Sequence, residues 1–228
     1  MKTTANDVMD FSRFFLGKDE PPYFYREYLN LSGKIFIPAD DIKLAKKLNI
    51  DAEKNGILHY FIHDSRQNQL LQNPFSKQAG HQYFYAICSP DFSVDSANCF
   101  SCFNLSNILK ARIIASLWQA RGLSVILTLI WGNKSTYKYA FDNIEQGCPV
   151  AVSHQAVTNE EIFQDGILYA IQKINPEMIC WYGSIPEYMA DYYDIKKIIR
   201  MQTRAKLMRR LYKDSFYRDQ PMLFPASK

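Results

Sequence analysis

The sequence predicts an α/β fold of parallel βα units. An incomplete or distorted (β/α) barrel is favoured over an open doubly wound sheet, and a basic C-terminal helix is added to it. Three observations lead there. Short apolar runs recur along the chain, each stopping at a polar or turn residue. Helical patterns separate most of them, the alternation that parallel βαβ units produce. No glycine-rich phosphate loop follows the first run, as a dinucleotide-binding sheet would require.

Taken in order, residues 1–30, with "DEPPYFYREYL", read as an irregular aromatic arm, residues 31–185 as the α/β domain and residues 186–228 as a basic helical extension. "KIFIPADD" is the first strand and closes near Pro38, whose ring nitrogen cannot donate to a ladder. Asp40 or Asp41 then caps a helix with Ile42, Ala45 and Leu48 on one face. "GILHYFIHD" is the second strand, ending at Asp64, and "QYFYAIC" the third, ending in Ser89-Pro90-Asp91. "SNILKARIIASLWQARG" is the clearest helix, with Ser106 as N-cap, Leu109, Ile113 and Leu117 on one face, and Gly122 as its stop. "LSVILTLIWG" suits a strand buried on both faces. "PVAVSH" is the fifth strand. Thr158 and Glu161 have capping-box spacing ahead of Ile162, Phe163, Ile167 and Ile171, and Asn175-Pro176 ends that helix. "EMICWYGS" is the sixth strand.

Composition narrows the class. The 228 residues bury a core without staples, and 47% hydrophobic with 22% charged residues is ordinary for a globular chain. No apolar run reaches the roughly 18 residues of a membrane span. "MKTTANDVMDF" lacks the apolar core of a signal peptide, so a cytosolic location is expected. The five cysteines are Cys88, Cys99, Cys102, Cys148 and Cys180, and buried free thiols are the reading favoured for them. Cys99 and Cys102 form a lone CxxC without the second ligand pair that zinc requires.

Charge is unevenly spread. Residues 1–195 carry 17 Lys and Arg against 21 Asp and Glu, while residues 196–228 carry 10 against 2, which together give the net +4. Within "DIKKIIRMQTRAKLMRRLYKD", read as a helix, Ile195, Ile199, Met201, Leu207, Met208 and Leu211 supply apolar positions. Lys196, Lys197, Arg200, Arg204, Lys206, Arg209, Arg210 and Lys213 surround them. Such a helix suits a phosphate backbone, or an acidic protein partner.

In either architecture the C-terminal strand ends meet at one rim, where sites are built. That rim would gather Asp64, Asp91 and His154 as catalytic candidates, with Ser93, Trp131, Ser153, Tyr182 and Gly183 around a pocket. Two carboxylates there suit a general acid and base, or a divalent metal held through oxygen. Each also has a plain structural reading, since an acid after a strand often closes a turn. His59 and His63 lie four apart on one strand, roughly 13 Å, too far to share a metal. No P-loop, GxGxxG, HExxH or GxSxG occurs.

From residue 61 to 183 the landmarks "FIHD", "LLQNP", "SPDFS", "SLWQARGLSVILTLIWG", "FDNIEQGCPVAVS" and "GILYAIQKINPEMICWYG" follow in order. In these the chain resembles DUF4417, a conserved family of unknown function. The resemblance implies an α/β domain in a phage or mobile-element setting, hence a bacterial host cytosol. It marks Asp64, Asp91, Phe92, Ser93, Trp131 and Gly183 as landmarks, and it implies no reaction. His63 and His154 depart from the family's pattern, and the Cys99–Cys102 pair is no part of it. Three functions are therefore expected: an accessory protein touching nucleic acid or a nucleoprotein partner through the basic helix, in replication or counter-defence; an enzyme of nucleotide or nucleic-acid chemistry using Asp64 and Asp91; or a protein-binding inhibitor using the aromatic arm.

Overall fold

The computed structural model of the chain describes residues 20–75, 78–95, 101–155 and 157–218. Seven strands form one sheet: β1 (Ile35–Pro38), β2 (Gly56–Tyr60), β3 (Ala86–Pro90), β4 (Val125–Thr128), β5 (Val150–Ser153), β6 (Ile179–Tyr182) and β7 (Ile198–Arg200). They lie side by side in chain order, and every neighbouring pair is parallel. A doubly wound sheet reverses its strand order at a switch point. This sheet never does, and it curls into a half-barrel.

Helices fill the crossovers. They are α1 (Lys43–Lys47), α2 (Ala52–Asn55), α3 (Gln69–Gln72), α4 (Gln78–His81), α5 (Ser101–Ala120), α6 (Tyr137–Phe141), α7 (Glu160–Ile174), α8 (Met189–Tyr192) and α9 (Arg204–Arg218). Alternation along each strand divides the side chains between two cores. Leu58, Ile87, Leu127, Val152 and Trp181 face the helices, meeting Ile108, Ala115, Trp118, Phe141 and Ile167. Phe36, Ile57, Ala86, Cys88, Ile126, Ala151, Cys180 and Tyr182 fill the opposite, helix-free face, in one cluster with Leu31, Phe61 and Met201. The thiols of Cys88, Cys148 and Cys180 are free and buried, whereas Cys102 is exposed; Cys99 lies outside the described residues.

Several local expectations shift. α5 begins at Ser101, ahead of Ser106, and buries Ile108, Ala111, Ala115 and Trp118, leaving Ile113 exposed. Asn159, not Thr158, caps α7, its side chain accepting from the Ile162 amide. No side chain caps α1, so neither Asp40 nor Asp41 does. A seventh strand, β7, occupies part of the stretch read as helix and pairs with β6.

β1 and β7 are the edges of the sheet. The Phe36 amide donates to Oε1 of Gln202 at 3.3 Å. Arg204 holds Asp41 at 3.0 Å and Asp40 at 3.5 Å, and Arg66 pairs with the same Asp40. One side chain and one guanidinium from beyond β7 thus stitch that end of the sheet back to β1.

Of residues 1–30, the described part begins at Glu20 and lies against the body: Phe24 is fully buried and bridges to Ile144.

Candidate functional site

Pro90 brings no amide to the ladder, and β3 stops there. The main chain that follows is held almost atom by atom. Gln67, fully buried, donates to the Asp91 carbonyl at 2.8 Å and accepts from the Asp91 amide at 3.2 Å. Both oxygens of Asp64 accept from the Ser93 amide, at 3.2 and 3.4 Å. Asn107 donates to the Ser93 carbonyl at 2.7 Å. Asn104 pairs with the amide and carbonyl of Asp95 at 2.9 and 2.6 Å. Four polar side chains from two neighbouring segments therefore fix one loop, which calls for a reason beyond connection.

That loop walls a cavity of about 190 Å³ at the C-terminal rim of the sheet. Asp91–Val94 line it together with Leu129–Trp131, the residues that follow β4. Ser153, Gln155, Thr158, Asn159, Ile162 and Phe163 close it from β5 and α7. Trp131 is fixed against Phe163 and Phe141, and its indole nitrogen donates to the Ile162 carbonyl at 3.3 Å. α7 comes this close because residue 166 is glycine: a methyl there would fall inside the Trp131 ring.

Burial, with the neighbouring Asp64 charge adding to it, pushes the Asp91 carboxyl up to about 7. Among the described residues no hydrogen-bond donor reaches that carboxyl. It therefore changes protonation near neutrality, the range a general acid or base needs. The unfolded chain releases this proton near 3.8, so the folded state holds the extra proton between that pH and about 7. Stability from this group is complete below 3.8 and is lost as pH rises through 7. Asp91→Asn is thus expected to raise Tm at pH 8 and to leave it nearly unchanged at pH 4. Thermal melts at both pH values check this, and an equal shift at both would disprove the assigned proton.

The rim brings together Asp91, Ser93, Trp131 and Ser153 on the cavity, with Asp64 behind the loop. It separates the others. Tyr182 points to the helix-free face, stacked on Phe61 at 5.1 Å and beside His59 at 5.4 Å. Gly183 turns the chain with φ +103° next to His154, which is outside the cavity lining. Among the described residues no cluster of three or more His, Cys, Asp or Glu could hold a metal ion. A divalent ion at Asp64 and Asp91 would take its remaining ligands from solvent or substrate, as magnesium does.

Sequence reasoning discounted His59 as a shared metal ligand and read Asp40 as a helix-cap candidate. His59 is 1% exposed, both its ring nitrogens lack partners, and burial lowers it to about 4 against the pull of Asp40. One Asp40 oxygen is likewise buried without a partner.

The basic segment is described to Arg218. Lys196, Lys197, Arg200, Arg204, Lys206, Arg209 and Arg210 are all exposed; the side chain of Lys213 lies outside the described residues. α9 docks through Leu207, 3% exposed, and Met208. At 100° per residue, Arg204 shares the side of Leu207 and Met208, and Lys206, Arg209 and Arg210 take the other. Among the described residues no helix is long and apolar enough to cross a membrane.

A family model described as Domain of unknown function (DUF4417) matches residues 29–202, from before β1 through β7, stopping short of α9. The Gene 1 protein of Mycobacterium phage L5 is 28% identical over 138 residues, 59% of this chain and 60% of that protein. The Gene 1 protein of Mycobacterium phage D29 is 26% identical over 140 residues, 59% of this chain and 51% of that protein. The chain therefore spans between half and two thirds of the length of these curated relatives. No solved structure matches it.

Proposed function

The chain belongs to the DUF4417 family and is similar to phage Gene 1 proteins, and on that premise we propose a phage-type accessory protein that contacts nucleic acid, or a nucleoprotein partner, through its basic C-terminal segment. The observation that carries this reading is the division of labour on α9. Arg204 is spent on Asp40 and Asp41, while Lys206, Arg209 and Arg210 stand clear on the opposite side. Lys196, Lys197 and Arg200 extend the positive surface along β7. Exposed cations on one side of α9 and around β7, on a body that is itself mildly acidic, suit a phosphate backbone and favour neither base nor sequence. The body's task is then to hold the helix, in replication or in countering a host defence.

Lys206→Glu, Arg209→Glu and Arg210→Glu combined are expected to weaken binding to short duplex DNA and to single-stranded RNA alike. They should also flatten the slope of log K against log salt by about 2–3 on duplex DNA. Fluorescence anisotropy across a salt series measures both. Unchanged affinity and slope would rule the helix out as the contact and leave an acidic protein as its partner.

A second reading is favoured by Asp91 alone: an enzyme of nucleotide or nucleic-acid chemistry, with that carboxyl as proton carrier in the rim cavity and Asp64 setting its neighbour charge. In that case Asp91→Asn abolishes turnover while Tm at neutral pH holds or rises.

A further inference from the structure

Beyond the cavity and the basic helix lies a third group of polar side chains. Where β6 ends, Gly183 turns the chain and Ser184 follows on the surface. The Ser184 hydroxyl lies 3.0 Å from Nδ1 of His154, the residue after β5. The other ring nitrogen, Nε2, lies 2.9 and 3.2 Å from the two carboxylate oxygens of Glu160, in the first turn of α7. The Tyr188 hydroxyl donates to that carboxylate at 3.0 Å. Register builds this set: Ser153 pairs with Tyr182, so the turns after β5 and β6 come out side by side.

The imidazole is well held. It meets Phe163 edge-on at 4.8 Å and leans on Trp181 at 6.2 Å, and its side chain is only 15% exposed. Trp181 also donates its indole N–H to the Ser184 carbonyl at 2.7 Å, fixing the backbone that carries the hydroxyl.

A carboxylate accepts and cannot donate, so Glu160 selects the tautomer with its proton on Nε2. Nδ1 is then left with a lone pair directed at the Ser184 hydroxyl. An acid, an imidazole and a hydroxyl in this order make the arrangement that activates a serine nucleophile. The two nitrogens exchange places relative to the common serine hydrolases, in which Nε2 faces the serine. Proton transfer requires only that one nitrogen donate to the acid and the other accept from the hydroxyl.

We propose that Ser184, His154 and Glu160 form a nucleophilic relay that hydrolyses carboxylic esters. Ser184 Oγ bonds to the acyl carbon while its proton passes to His154 Nδ1. The ester C–O bond breaks, and the departing alkoxide takes that proton and leaves as the alcohol. Water then attacks the acyl-serine, its proton again moving to Nδ1 and on to Ser184 Oγ, and the carboxylic acid departs. One ester and one water give one acid and one alcohol, with no other reactant. Because Ser184 stands on open surface, the relay suits an ester on an accessible group rather than an enclosed small metabolite. Ser184 and His154 are its catalytic residues; Glu160 and Tyr188 are positioning residues.

The test is covalent labelling of the full-length chain with an alkyl fluorophosphonate, located by peptide mass mapping. Ser184 Oγ bonds to phosphorus and fluoride leaves, its proton lost through His154. Labelling is expected at Ser184, with none there in Ser184→Ala and a rate lower by about a hundredfold in His154→Gln. Glu160→Gln, which keeps a hydrogen-bonding side chain and the fold, should slow labelling with little change in Tm, so a positioning effect is distinguished from unfolding. Hydrolysis of p-nitrophenyl acetate should follow the same order. No label at Ser184, labelling no faster than at other exposed serines, or a rate unaffected by both His154→Gln and Glu160→Gln would overturn the proposal.

Discussion

Replacing Arg112 with methionine is expected to remove about 4 kcal/mol of stability, from the loss of several charge-assisted hydrogen bonds at once. Arg112 is 2% exposed in the middle of α5. Its guanidinium donates to the carbonyls of Tyr139 and Ala140 at 3.2 Å, of Asp142 at 3.0 Å and of Asn143 at 3.4 Å. It also reaches the Pro22 carbonyl at 2.6 Å. The first four belong to the end of α6 and the residues after it, where helix carbonyls have no further amide to meet and a positive charge is favoured. Burial lowers this guanidinium to about 10, with the Asp142 charge opposing, so it stays charged at neutral pH. Methionine fills similar volume and satisfies none of these acceptors. For a chain of this length the loss lowers Tm by roughly 8–16 °C. Lysine would keep the charge without the planar fork, so Arg112→Lys should recover only part of it. Thermal and urea melts of both variants read the effect. A melt like the wild type's would mean that solvent satisfies those carbonyls in its place. The joint with the N-terminal segment should loosen as well: Phe24 donates to the same Asn143 carbonyl at 2.8 Å, so proteolysis near residues 20–30 is expected to quicken.

Gly166→Ala is the second large effect, and its sign is unusual. Alanine is the better helix former by roughly 1 kcal/mol, so an exposed glycine in mid-helix would gain from the change. Here the added methyl meets the Trp131 indole, a rigid plane already backed by Phe141 and Phe163. Either α7 withdraws from the sheet or the indole swings into the rim cavity, and overpacking of this kind costs about 1–3 kcal/mol. A net loss of about 2 kcal/mol is expected, with a shift in tryptophan emission as the indole changes surroundings. Combining Gly166→Ala with Trp131→Leu should restore about 1 kcal/mol or more, because the two residues contest the same space. Strict additivity in that double-mutant cycle would show that the methyl is accommodated some other way.

These two residues show where sequence reading stops. The strands of the sheet were legible because each is a dense apolar run closed by an acid, a turn or a proline. β7 was not: it is three residues long and framed by Lys196, Lys197 and Arg200, so its apolar positions read as one side of a basic helix. The buried side of α5 was misplaced for a related reason. Asn104, Asn107 and Arg112 lie on it, and periodicity counts polar residues as outward even when each finds its partners inside. Asp91, Ser93, Trp131 and Ser153 could be gathered from strand ends, since the C-terminal ends of parallel strands share a rim. Tyr182 could not be assigned correctly without the pleat, which sends Trp181 to the helices and Tyr182 to the other face. Ser184 meets His154, and Tyr188 meets Glu160, only through the β5–β6 register and the turn at Gly183, neither of which any spacing in the sequence encodes.

The stitch between Phe36 and Gln202 spans 166 positions. During synthesis β1 through β6 can align one after another as they are made, each on the strand before it. The opposite edge of β1 waits: its amide at Phe36 and the acids at Asp40 and Asp41 meet Gln202 and Arg204 only when nearly the whole chain exists. Asp40 has Arg66 from early on, but the nascent protein carries an open edge at Phe36 and an Asp41 still waiting for Arg204 for most of its translation, and a chain cut short before Gln202 would keep both.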